Sequence, residues 1–170
     1  LHYTDDTSFF VPGTKDNEFI HLANEILRKI NNWSVKNSLQ LNCSKTKAVL
    51  FRAKSTPCNH TKCLTLNDSK VVLSASAKTL GVTFHELPTW DHHTDHLKSK
   101  LCKALGMLRR CQKLLPIHQK LMIYNTLFAS HLCYCHLVWS NGTKQSLENL
   151  FILQEQALRA IAEVPYNEHT

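Results

Sequence analysis

Glycine and proline are scarce, with four and five in 170 residues, so flexible linkers and low-complexity repeats have little to be built from. Long regular elements are the expectation instead. No apolar run approaches the ~18 residues a membrane span needs, so no membrane partner is expected. No basic-then-apolar leader precedes a small-residue cleavage site either. The cysteines (Cys43, Cys58, Cys63, Cys102, Cys111, Cys133 and Cys135) are odd in number and cannot all pair within the chain. Free thiols and an intracellular setting, cytoplasm or nucleus, are the expectation. The chain opens on Leu1 and not on Met, and residues 1–3 resemble the middle of a strand, so it reads as a fragment.

Acidic residues are absent over one long stretch. Between Leu97 and Leu147 there is no Asp or Glu, yet Lys98, Lys100, Lys103, Arg109, Arg110, Lys113, Lys120 and Lys144 all fall there. An ordinary solvated helix face intersperses acids among its lysines at i,i+4, and this one does not. With a formal net charge of +7, the pattern points to a surface that meets a polyanion. A soluble basic helix is the other reading.

Apolar residues make up 43 % and charged residues 19 %, which is globular composition and argues against disorder. Short β-type runs at Leu1–Tyr3 and Thr7–Val11 flank Thr4-Asp5-Asp6 and predict a hairpin. Helical spacing of Phe19, Ala23, Ile26, Leu27, Ile30 and Trp33 predicts a helix over about 16–37. Lys47–Ala53, Leu64–Leu66, Val71–Leu73 and Thr79–Phe84 read as strands. Three helices are expected after residue 90. The first, about 91–113, carries Leu97, Leu101, Leu105 and Leu108 inward. The second runs unbroken from Pro116 to the stop at Asn141-Gly142, with Ile117, Leu121, Tyr124, Phe128, Leu132, Cys135 and Trp139 on one stripe. The third, about 144–163, turns Leu147, Leu150, Phe151, Leu158 and Ile161 inward. The fold class is therefore α+β, a mixed part over 1–90 and an all-helical part over 91–170.

Tyr3-Thr4-Asp5-Asp6 is the feature closest to chemistry. Two adjacent carboxylates at a hairpin tip suit a hard divalent ion, although aspartate is also a favoured turn residue. Taken in order, YTDD, Leu41-Asn42-Cys43-Ser44-Lys45-Thr46-Lys47 and Leu80-Gly81-Val82 with Trp90 and His93 resemble the reverse transcriptase of non-LTR (LINE-type) retrotransposons. The resemblance continues through Ser130–Cys135 and Gln154–Arg159 and so spans essentially the whole chain. It implies an incomplete palm over 1–90 followed by a helical thumb over 91–170.

By that resemblance Asp5 is a metal-ligating carboxylate for Mg²⁺ or Mn²⁺, with Asp6 beside it as a supporting ligand. Lys45 takes the place of a cation near the leaving pyrophosphate, and Leu80 and Gly81 that of a backbone approach to the primer end. Lys98, Lys100, Lys103, Arg109, Arg110 and Lys113 would track the phosphate backbone. The implied activity is two-metal RNA-directed DNA polymerisation from deoxynucleoside triphosphates, on an RNA template paired to a DNA primer. The implied partner is the upstream fingers and palm of the same parent polyprotein, which would carry the family's further metal-binding Asp. Without that Asp the chain alone is expected to be inactive as a polymerase. The alternative is a non-catalytic basic nucleic-acid-binding module. His92 and His96 at i,i+4, and Cys58 and Cys63 around His60, lack the companion ligands of known zinc motifs and are not promoted.

Overall fold

A computed structural model describes residues 2–3, 6–13, 16–56, 63–67 and 69–164. The protein is a mixed α+β chain of two compact units, 1–77 and 78–170.

In the first unit, β1 (His2–Tyr3) pairs antiparallel with β2 (Asp6–Thr7), His2 opposite Thr7 and Tyr3 opposite Asp6. The hairpin expected from sequence is there, but its second strand begins one residue earlier and is shorter than the predicted 7–11. Helix α1 (Asp16–Lys36) follows, close to its expected bounds. It packs Ala23, with Phe19, Ile20 and Leu27 around it, against Leu64, Leu66 and Val71. Those three belong to the antiparallel hairpin of β3 (Cys63–Leu66) and β4 (Ser69–Val72). The Asn24 side-chain carbonyl accepts from the Thr65 amide at 2.9 Å, which ties helix to strand.

Two expectations fail in this unit. Trp33 is 58 % exposed and the seam ends instead on Ser34, which is 1 % exposed and donates to the Asn31 carbonyl. The stripe 19-23-27-34 is straighter than the predicted one, and Trp33 stands off its edge. The segment 47–53 is not a strand. Only Ala48 bridges Leu73, and the Ser74 amide donates to the Ala48 carbonyl at 2.8 Å. Ser34 and Ala48 are small residues, and neither position is visible to a reading weighted toward large hydrophobes.

The second unit begins inside β5 (Ser76–Thr79), which pairs with β6 (Val82–His85). The predicted strand 79–84 is thus cut in two by Leu80 and Gly81. Their φ values of 48° and 82° are left-handed at both central positions, the signature of a two-residue type I′ hairpin turn. Helix α2 (Asp91–Cys111) then buries Leu97, Leu101, Leu105 and Leu108 as expected, together with Thr94 and Ala104. Helix α6 (Lys144–Ala162) lies alongside it in the same direction. At their N-terminal ends Asp91 Oδ1 accepts from Thr143 Oγ1 at 3.2 Å and from Ser146 Oγ at 3.0 Å. Further along, Arg109 donates to Gln156 Oε1 at 2.9 Å.

The α6 seam is Leu150, Leu153, Ala157, Ala160 and Ile161, whereas Phe151 and Leu158 are 61 % and 47 % exposed. The expectation put those two large residues inside. Ala157 at 0 % and Ala160 at 6 % sit there instead, where small side chains admit close approach of a neighbouring helix.

The single helix predicted over 116–139 is broken. It runs as α3 (Ile117–Ile123), a π-helical turn (Tyr124–Ala129), α4 (Ser130–Cys133) and, after a break, α5 (His136–Trp139). Thr126 and Ser130 hydroxyls donate back to the Met122 and Thr126 carbonyls, a pattern that bends helices. At the break Cys135 has φ 51°, and the Tyr134 carbonyl accepts from Trp139 Nε1 at 2.9 Å. Cys135 and Trp139 therefore do not continue the stripe of α3, and Cys133 is exposed. Phe128 (0 %) and Trp139 (4 %) still complete the core between α2 and α6.

Candidate nucleic-acid interface

Each predicted site residue has a definite place or lies outside the described residues. Asp5 is among the latter. Asp6 opens β2, opposite Tyr3. Among the described residues no three His, Cys, Asp or Glu side chains converge on a metal position. Cys58 and His60 also lie outside the described residues, and the described cysteines are free thiols.

Lys45 is exposed on a turn built by Asn42. The Asn42 side-chain oxygen accepts from Ser44 Oγ at 2.7 Å and from the Lys45 amide at 3.2 Å, while its carbonyl accepts from Thr46 Oγ1 at 2.9 Å. This is an Asx-type turn, which makes Asn42 the residue that fixes the Lys45 backbone. Sequence reading named the lysine and missed its support, although the Asn-x-Ser spacing carried the signal.

Leu80 and Gly81 form the exposed β5–β6 turn. The Tyr134 hydroxyl donates to the Leu80 carbonyl at 2.6 Å, and a Cβ at Gly81 would come within 3.2 Å of the Tyr134 ring. One backbone face of this turn is thereby covered by tyrosine. At the other end of the hairpin the Thr83 amide donates to His93 Nδ1 at 3.3 Å.

The basic residues of α2 all stand off the leucine seam. Lys98, Lys103, Arg109 and Arg110 are exposed, Lys100 is half-buried, and Lys113 is exposed just past the helix end. They divide by helical spacing into two flanks. His96, Lys100 and Lys103 share one flank at i, i+4, i+7; Lys98 and Arg109, three turns apart, share the other, where Arg109 reaches Gln156. Between them, on the solvent side of the helix, lie Asp95, Ser99 and Cys102. Lys120 leaves the set altogether. It is 2 % exposed and its Nζ donates to Glu163 Oε1 at 2.5 Å and to the Gln112 carbonyl at 3.1 Å, so its charge is used in joining the ends of three helices. Lys144, 91 % exposed, faces Glu148 at 3.7 Å. The acid-free sequence thus overstates the free cations: acids beyond residue 147 return to pair two of them.

His93 is buried beneath the β5–β6 hairpin and against Trp139, with ring centroids 6.0 Å apart. Burial, then the charges of His96, Lys100 and Lys78, hold its pKa below the usual histidine value. Burial, then Lys100, Lys78 and Lys103, lower that of His96. Both groups bind protons more readily when the chain is unfolded. Stability is therefore complete above about pH 6.5, the ordinary histidine range, and falls as the pH drops toward the lower folded values. Chemical denaturation at about pH 7.5 and pH 5.5 should show the loss, and His93→Gln, which keeps an acceptor for Thr83 without titrating, should flatten it. An unchanged pH slope in that variant would mean that His93 does not set the acid sensitivity.

No helix among the described residues is long and apolar enough to cross a membrane. No family model, no curated protein and no solved structure matches the chain.

Proposed function

We propose that the chain is the C-terminal palm and thumb part of an RNA-directed DNA polymerase of the non-LTR retrotransposon type, and that it grips a template–primer duplex by its phosphates. The observation that carries the reading is the solvent face of α2, where five cations rise from a leucine seam without an ion pair of their own among the described residues. Such a face binds backbone phosphate through counterion release and reads no sequence. The order of YTDD, LNCSKTK and LGV ahead of that helix, with Tyr3 paired to Asp6, supports the polymerase part.

Mg²⁺ or Mn²⁺ at Asp5 and Asp6 would supply Lewis-acid chemistry once the upstream part of the parent polyprotein adds its carboxylate. Lys45 is free to swing toward a polyphosphate, because only its backbone is held. Deoxynucleoside triphosphate turnover belongs to the assembled parent and not to this chain alone.

Metal binding separates this from a simple basic binding module. Mn²⁺ should bind the full chain and bind several-fold more weakly to Asp5→Asn, read by paramagnetic broadening of the Tyr3 and Thr7 amides. Equal broadening in both proteins would leave only the non-catalytic module.

A further inference from the structure

One hydrogen bond in the second unit has a left-handed residue at each of its ends. Leu80 (φ 48°) opens the β5–β6 turn, and Cys135 (φ 51°) breaks the chain between α4 and α5. Between them the Tyr134 hydroxyl donates to the Leu80 carbonyl at 2.6 Å. Left-handed backbone is disfavoured wherever a Cβ is present, so the closed arrangement holds strain that opening releases. The contacts run on from there. The Tyr134 carbonyl accepts from Trp139 Nε1 at 2.9 Å, the Trp139 and His93 ring centroids lie 6.0 Å apart, and His93 Nδ1 accepts from the Thr83 amide at 3.3 Å. Thr83 stands on β6, just past Gly81. The path thus returns to the hairpin it left, with Trp139 and His93 both buried along it.

We infer that this closed ring of contacts is a conformational latch: the β5–β6 turn and α5 open and close together, and the Tyr134 hydroxyl is the catch between them. Closed, the catch holds the chain bent at Cys135 and seats Trp139 in the same core as Phe128. The local period favours one continuous helix over this segment, so the left-handed Cys135 is kept by the tertiary bonds and not by its neighbours in sequence. Opening of this kind frees a few residues and leaves the rest folded. A hydrogen-bond donor that takes the Leu80 carbonyl from Tyr134 therefore loosens α5, and by reciprocity whatever seats Trp139 more firmly tightens the turn. The latch stands on these contacts and does not depend on the polymerase reading.

Native-state hydrogen exchange of the full chain, followed by NMR at fixed pH, tests this with two variants of opposite sign. Tyr134→Phe removes the hydroxyl alone. It should speed exchange of the Trp139 indole N–H, the Thr83 amide and the Ser140 amide, which bonds the His136 carbonyl within α5, by a common factor of about five, the worth of one hydrogen bond. The Leu105 amide, in the middle of α2, should not change. Leu80→Asn gives the turn the Asn-Gly pair that a type I′ hairpin favours, and should slow the same three protons. Circular dichroism checks that the folds agree. Faster exchange at Trp139 with Thr83 unmoved in Tyr134→Phe would overturn the latch, since the turn and α5 would then open separately. Equal acceleration at Leu105 would overturn it too, because the hydroxyl would then support the whole unit. A Trp139 indole indifferent to Leu80→Asn would refute the coupling from the side of the turn.

Discussion

Phe128→Ala is expected to destabilise the helical unit by about 3–5 kcal/mol, the usual cost of truncating a fully buried aromatic. The side chain is 0 % exposed, stacks on Tyr124 with centroids 5.3 Å apart, and belongs to the core cluster with Leu101, Leu108 and Ala157. It sits on the π-helical turn, where the irregular backbone gains little from regular hydrogen bonding and depends on what its side chains bury. Relief by collapse is limited, because Tyr124 is held through its hydroxyl by Gln154 at 3.1 Å. Thermal unfolding followed by far-ultraviolet circular dichroism should show a midpoint lower by roughly 10 °C, taking about 2–4 °C per kcal/mol for a chain of this size. A loss below about 1 kcal/mol would mean that the packing of α2 on α6 does not depend on the π-helical turn.

The second large effect concerns the charge on α2. Replacing Lys98, Lys100, Lys103, Arg109 and Arg110 together by glutamine should lower affinity for nucleic acid by roughly a hundredfold or more at about 0.1 M salt. Every phosphate that is no longer neutralised takes about 0.9 from the salt slope, so even two genuine phosphate partners give that factor. The loss should be uniform across sequences, since no base-reading group is invoked. Stability should change little, because these side chains stand outside the seam. The exception is the Arg109–Gln156 hydrogen bond, an exposed interaction of small worth. Affinity within about threefold of wild type would assign binding to some other surface. Loss for one sequence alone would point to base recognition in place of a backbone grip.

The elements most legible in the sequence were those whose period was strong and whose core residues were large. Helices α1, α2 and α6 ended within a residue or two of expectation, and the four leucines of α2 all went inside. The sequence misled where small or polar residues decide the packing. Ala157 and Ala160 carry no weight in a hydrophobic stripe, yet they set the face of α6 and turn Phe151 outward. Trp139 fits a helical period, yet its Nε1 donates to the Tyr134 carbonyl across a break at Cys135 that the period does not show. Side-chain hydrogen bonds of this kind outweigh local propensity.

The site follows the same division. Charge counting found the lysines of α2, but it also included Lys120, whose partner Glu163 is 43 residues away. It passed over the β5–β6 turn, which cuts the predicted strand 79–84 in two. The left-handed pair Leu80-Gly81 was the available signal, since a glycine in the middle of a predicted strand marks a turn or bulge. The motifs at Asp5, Asp6 and Lys45 were legible as residue types and order alone, and the surrounding geometry bears on Lys45 through Asn42.

The measurement that bears most directly on the claim that α2 grips a phosphate backbone is the affinity of the full chain for a labelled RNA–DNA hybrid, followed by fluorescence anisotropy from about 50 to 300 mM salt. Log affinity should fall linearly with log salt, with a slope of at least about 2 for the phosphates met by the cations of α2. No binding at about 50 mM salt, or an affinity that ignores salt, would contradict the claim.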